Sequence, residues 1–364
     1  MSQTRPGRGA ATIQPESGYL QMTEILTNRR SALGFLGAGL LASSFAPPAF
    51  AKETAPADVE AAVNAAYAQF RTLNDGKNAD YIPALAKVPS AYFGVSLTTA
   101  DGKVHEVGDD DKPFSIQSIS KVFTMAIVLQ ESGEAEIVNS VGVDATGQVF
   151  NSITAVEQYK GKEMNPLVNP GAIATTGNIK GSSPEEVWNK IITTYSAFAG
   201  RQLEVNKEVY KSESDTNQRN RAIGELMSAY GRFPMDPLVA TDLYTRQCSV
   251  NVTSHDLSVM AATLAFGGRN PVTKKQVIDT KHVPGILSVM ATAGLYDDSG
   301  KWLFKAGVPA KSGVGGGLIA VVPGRFGVGT FAPPLDDAGN SVRGQAAIVD
   351  IVNRLNVNPY AQFG

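Results

Sequence analysis

The sequence predicts an α+β fold in which strands from both ends of the chain meet in one antiparallel sheet packed against a helical middle. Near the start, Phe93, Val95 and Leu97 alternate as in a half-buried strand, Asp101-Gly102 supplies a turn, and Val104 to Val107 returns. Near the end, Leu318 to Val322 and Phe326 to Thr330 are apolar runs separated by Pro323-Gly324. Between them, apolar residues recur at helical spacing. Two hairpins at opposite ends of a helical stretch bury their apolar faces most readily by joining.

Each element has a local reason. Ala57 to Leu73 follows Pro56 and sets Val59, Val63, Ala66 and Phe70 along one face, which predicts a helix. After the first hairpin, Asp111-Lys-Pro113 precedes an apolar run that continues to Leu129, with Gly133 as a stop, so Ser118 is expected in the first turn of a buried helix. Ser183-Pro184-Glu185-Glu186 reads as a capping box with proline at the first helical position, followed by Val187, Ile191, Tyr195 and Phe198 on the buried side. Asn220 to Tyr230 and Asp256 to Phe266 read as further helices, and Val342 to Leu355 as the last. No internal repeat and no linker divides the chain beyond residue 52.

At 364 residues, 43% hydrophobic and 18% charged, the chain can bury a large core and lacks the bias of a disordered segment. A formal net charge of −2 gives no basic surface for nucleic acid. His105, His255 and His282 lack metal-ligand spacing, and the single cysteine, Cys248, reads as a packed, inert thiol.

Residues 1–51 read as an export signal rather than as fold. Arg29-Arg30 precedes the apolar run Ala32 to Phe45, Ala49-Phe50-Ala51 is a small-x-small cleavage site, and the paired arginines suggest the twin-arginine route. Met22 is then a natural start, residues 52–364 are the working domain, and removing the segment takes the net charge to −4. The apolar run is too short for a comfortable membrane span. A periplasmic or secreted protein is expected.

The chemistry is concentrated in Ser118 and Lys121. Residues three apart share a helix face, the helix start favours an attacking alkoxide, and a desolvated lysine loses proton affinity until it can serve as a base. Far downstream, Lys311-Ser312-Gly313 leads through Val314 and three glycines into the strand at Leu318. Ser-x-x-Lys followed by Lys-Ser/Thr-Gly at a strand start is the pattern of serine acyl-transfer enzymes. Taken singly, Ser118 could be a helix cap and Lys311 a solvated strand end.

Longer blocks narrow this further. Asp80-Tyr81-Ile-Pro, Gln117-Ser118-Ile-Ser-Lys121, Asn165-Pro-Leu-Val-Asn169-Pro-Gly-Ala-Ile, Glu213-Ser-Asp-Thr-Asn-Gln-Arg-Asn220 and Tyr244-Thr-Arg-Gln-Cys-Ser come first. Val259-Met-Ala-Ala-Thr-Leu-Ala, Met290-Ala-Thr-Ala-Gly-Leu-Tyr296-Asp and Pro309-Ala-Lys-Ser-Gly-Val314 follow. In this order and spacing the chain resembles the serine-dependent glutaminases, which have a β-lactamase-like fold and hydrolyse L-glutamine to L-glutamate and ammonia. Two departures are Pro170, where the family usually carries alanine, and the export segment.

The resemblance implies Ser118 as nucleophile and Lys121 as its base, with Tyr81, Asn169, Glu213, Asn220, Tyr244 and Tyr296 around the substrate and Val314 contributing its backbone. It also implies a homo-oligomer, dimer or tetramer, and no metal or organic cofactor. Glu213 is the anion expected to meet the substrate ammonium, while Asn169, Asn220, Tyr81 and Tyr244 offer neutral hydrogen bonds to its carboxylate. Tyr296 is placed to relay a proton to the leaving ammonia. Two rivals share the residues. A β-lactamase or penicillin-binding peptidase would cleave a chromogenic β-lactam, and an exported glutamine receptor would bind glutamine without releasing ammonia.

Overall fold

The strands are β1 (Gly94–Thr99), β2 (Val104–Gly108), β3 (Phe114–Ser115), β4 (Asn251–Val252), β5 (Ala310–Ser312), β6 (Gly317–Val322) and β7 (Phe326–Phe331). Five form an antiparallel sheet in the order β2-β1-β7-β6-β5, and β3 pairs with β4 apart from it. This is a computed structural model, and it describes residues 56–162 and 164–361. The export reading of residues 1–51, and the boundary at residue 52, lie outside the described residues.

The two chain ends meet as the sequence predicts. β1 lies beside β7, with Leu97 opposite Val328, and each belongs to its own hairpin. Alternate residues of β6 then serve different cores. Leu318, Ala320 and Val322 pack with Val59 and Val63 of the helix Pro56–Phe70 and with Ile348 and Ile351 of the helix Val342–Arg354. Ile319 and Val321 face the helical middle, beside Leu257 and Leu264 of the helix Ser254–Ala265. Burial on both sides explains why β6 reads as one apolar run.

The helix Ser254–Ala265 lies directly on β7. A Cβ at Gly327 would stand 2.0 Å from the Ala262 nitrogen and one at Gly329 would stand 2.5 Å from the Ser258 nitrogen, so only glycine permits this approach. The polar residues carried into the contact satisfy one another. Ser254 and Ser258 hydroxyls meet those of Ser96 (3.0 Å) and Thr98 (2.7 Å) on β1.

Helix ends follow their caps. Ser183 accepts from the Glu186 N–H, but the Glu186 carboxylate turns back to the N–H and hydroxyl of Ser182, so the expected capping box is only half made. The reciprocal box lies at Thr253 and Asp256, where the sequence showed only a helix start. Pro170 sits in the first turn of the helix Asn169–Gly177, where its missing N–H forfeits no intrahelical bond, and Asn169 is the first residue of that helix. Among the described residues no helix is long and apolar enough to cross a membrane.

Candidate active site

Ser118 lies in a 3₁₀ turn, Gln117–Ile119, that runs straight into the helix Ser120–Ser132. The sequence predicts it in the first turn of the buried helix, and the structure puts it in the 3₁₀ turn just before that helix begins. The segment before it is pinned by the β3-β4 pair and by a bond from the Ile116 N–H to the Val250 carbonyl (2.8 Å). The glycine-rich link from β5 to β6 presses on the same segment. A Cβ at Gly313 would stand 2.8 Å from the Ile116 carbonyl and one at Gly315 would stand 2.6 Å from that of Ser115. This close approach brings Val314 beside the turn that carries Ser118.

Lys121 is fully buried. Its Nζ donates to Asn169 Oδ1 (2.7 Å) and the Leu167 carbonyl (3.3 Å) and lies 5.7 Å from the Tyr244 ring centre. Burial lowers its ammonium to about 8, with Cys248 and Glu213 acting in the opposite direction. Asn169 connects the neighbouring groups. Its Oδ1 also accepts from the Tyr244 hydroxyl (3.1 Å), while its Nδ2 donates to Asn220 Oδ1 (3.0 Å). Only an oxygen can accept from both lysine and tyrosine, which fixes the orientation of this amide.

Glu213, on the helix Lys207–Thr216, is 7% exposed and pushed up to about 7 by burial, against the pull of Gln117 and Lys121. Gln117 Nε2 donates to its Oε2 at 3.3 Å. Tyr296 closes another side of the site with φ at 56°. Its hydroxyl donates to the Ser312 carbonyl (3.4 Å) and engages Ser118; burial nevertheless pushes the phenol up to about 12. Tyr81 stands at the rim. Its surface is 57% exposed, yet its hydroxyl lies deep enough among protein atoms that desolvation first, then Tyr296 and Glu213, raise it above the ordinary tyrosine range.

The residues expected at the site therefore converge from separate elements. Lys311 is fully buried in β5, not solvated, and its Nζ donates to the Ser312 carbonyl (2.6 Å) and lies 4.2 Å from the Tyr296 ring centre. Burial, then the nearby Lys121, holds its ammonium well below the lysine range. Cys248 is as inert as expected, its thiol pushed up to about 12 by burial, but it borders the site, with Sγ 3.7 Å from the Ser120 hydroxyl. Gln117 and Asn340, which accepts from the Ser312 hydroxyl at 2.5 Å, were not anticipated. Gln117 lies next to Ser118, but its partner is 96 residues away, and no local pattern marks such a pair. Among the described residues no group of three or more His, Cys, Asp or Glu side chains is placed to hold a metal ion.

A helical middle against an antiparallel sheet, with Ser-x-x-Lys and Lys-Ser-Gly meeting at their seam, defines a β-lactamase-like fold. Comparison with known proteins narrows the class. The glutaminase family model matches residues 76–360. The glutaminase of Colwellia psychrerythraea is 51% identical over 300 residues, covering 82% of this chain and 96% of its own. A solved structure described as the probable glutaminase ybaS superposes with a TM-score of 0.83 at 45% identity, covering 84% of this chain and 99% of that one. Mglu in its glutamate form superposes with a TM-score of 0.78 at 34% identity, covering 82% and 69%. The chain belongs to the glutaminase family.

Proposed function

We propose that the protein hydrolyses L-glutamine to L-glutamate and ammonia through a γ-glutamyl ester on Ser118, with Lys121 as base. The observation that carries this reading is a fully buried lysine, one turn beyond a serine, whose ammonium burial has brought down to about 8. Such a lysine holds an appreciable neutral fraction near neutral pH. It takes the Ser118 proton, and the serine oxygen attacks the side-chain carbonyl carbon. Backbone N–H groups of Ser118 and Val314 hold the oxyanion. The C–N bond then breaks as the nitrogen gains the proton that Lys121 gives up through Tyr296, and ammonia leaves with the lysine neutral again. Water, deprotonated by the same lysine, attacks the ester and releases glutamate, returning the proton to Ser118.

Recognition uses the remaining groups. Glu213 meets the α-ammonium, and a buried anion is what a free ammonium in a partly dry pocket requires. Asn220 and Tyr81 donate to the α-carboxylate, as does Asn169 through the second hydrogen of its Nδ2, while Tyr244, whose one O–H is given to Asn169 Oδ1, holds that amide in the donating orientation. The glutamate form of the related Mglu structure supports a site that accommodates the product. Ammonia release from L-glutamine, L-asparagine and D-glutamine tests reaction, side-chain length and stereochemistry together. Rapid release from L-glutamine is expected, and cleavage of a β-lactam in its place would overturn the reading.

The same proposal carries the export reading and a homo-oligomer. N-terminal sequencing of protein extracted from the periplasm should begin at Lys52, and light scattering should give a dimer or tetramer mass.

A further inference from the structure

Gln117 has no part in the steps above, yet its setting is unusually constrained. The residue immediately before the nucleophile holds φ at 50°, a left-handed conformation that a long side chain adopts only against a local penalty. Its side chain is buried, and Gly313 and Gly315 lie so close that a Cβ on them would stand 3.3 Å from its Cβ and 3.4 Å from its Cγ. The amide held there uses Nε2 twice, toward Ser115 Oγ (3.1 Å) and toward Glu213 Oε2 (3.3 Å). Both hydrogens of the amide nitrogen thus have acceptors.

We propose that Gln117 is a positioning residue for the ammonium site, holding Glu213 Oε2 in place and keeping the carboxylate anionic so that the substrate ammonium meets a preformed partner. This rests on the assignment of Glu213 given above. The choice of an amide has a chemical reason. A lysine or arginine here would neutralise the carboxylate and compete with the substrate, whereas an amide stabilises the anion without adding charge. The other groups facing Glu213 are Lys121 from the helix after the nucleophile, Tyr244 and Cys248 from the helix Pro237–Cys248, and Tyr81 from the rim. Lys121 favours the anion, and the two phenols and the thiol are neutral at the pH of interest. Burial works against the anion, and Gln117 opposes burial by its hydrogen bond.

Gln117→Met removes the donor at similar length, and Gln117→Gly removes it while relieving the backbone. Each is compared with the natural enzyme on L-glutamine and on glutaramate, the same amide acid without the α-amino group, across the pH range that titrates Glu213. KM for L-glutamine should rise on the order of tenfold, the scale of losing a hydrogen bond to a charged group, with kcat much less affected. The acid-side break in kcat/KM should move to higher pH, and glutaramate should lose little. Equal losses on both substrates with an unmoved break would make Gln117 merely structural and overturn the inference. Melting curves identify a variant that fails to fold, and the glycine variant, free of the left-handed penalty, then decides. Glu213→Gln, measured alongside, separates the two readings. If it leaves the preference for L-glutamine over glutaramate intact, the ammonium assignment itself fails. If it collapses that preference while the Gln117 variants do not, only the role of Gln117 fails.

Discussion

Lys121 and Glu213 show how burial sets chemistry one residue at a time. Both are carried into the interior, and desolvation opposes the charge of each, lowering the lysine to about 8 and raising the glutamate to about 7. The proposed roles need a neutral lysine and an ionised glutamate. Log kcat/KM should therefore fall with a slope near one below about 8 and steepen below about 7, and Glu213→Gln should remove the second break. A single break unchanged in Glu213→Gln would separate this carboxylate from substrate capture. Ser118→Ala should abolish the acyl-enzyme, detected by mass spectrometry of quenched enzyme, and Lys121→Ala should slow turnover at least about a hundredfold. Near-normal turnover in folded Ser118→Ala protein would remove the proposed nucleophile.

Elements matter because each contributes one or two groups, and their packing fixes the distances between them. The contact of the helix Ser254–Ala265 with β7 illustrates this, since it has no room for a side chain at Gly327. Gly327→Ala must push the helix away, an overpacking that should cost about 1 to 3 kcal/mol and lower the midpoint of urea unfolding. Stability unchanged within about 0.5 kcal/mol would mean that the contact yields freely. The cap of the same helix is a smaller device. Thr253→Ala deletes the hydroxyl that receives the Asp256 N–H and should cost about 1 kcal/mol while leaving kcat unchanged.

For the molecule as a whole, the site is a source of instability with a definite pH dependence. Glu213 has a folded-state value near 7, above the ordinary carboxylate range, so between those values the folded protein binds the extra proton and stability falls as pH rises. Lys121 near 8 lies below the ordinary lysine range, so from there upward the unfolded chain binds the extra proton and stability rises with pH. The combined penalty is greatest between the two values. Glu213→Gln, which removes only the carboxylate's share, should accordingly raise the melting temperature most above about pH 7 and least under acid conditions. A stabilisation that grew toward acid pH would reverse this assignment.

Much of this was legible in one dimension, because the signals concerned are local. Period-two alternation placed β1 and β2, an apolar run bounded by Pro323-Gly324 placed β6 and β7, and helical spacing at Val187, Ile191, Tyr195 and Phe198 placed a buried face. Ser118 and Lys121 were visible because three residues bring them to one face, and the wider site because whole blocks resemble a family. Other features needed the chain folded. Lys311 carries no sign of its burial, since that depends on β5 pairing with β6 and on the Tyr296 ring beside its Nζ. The half-made box at Ser183 turned on the Glu186 carboxylate pairing with Ser182 instead, and the bond from Gln117 to Glu213 joins residues with no shared local pattern. The sequence by itself determined which chemistry is present and the order of its elements. Only the tertiary structure decided the protonation of that chemistry and the partner of each group, because desolvation and hydrogen bonding depend on atoms that the chain brings together from far apart.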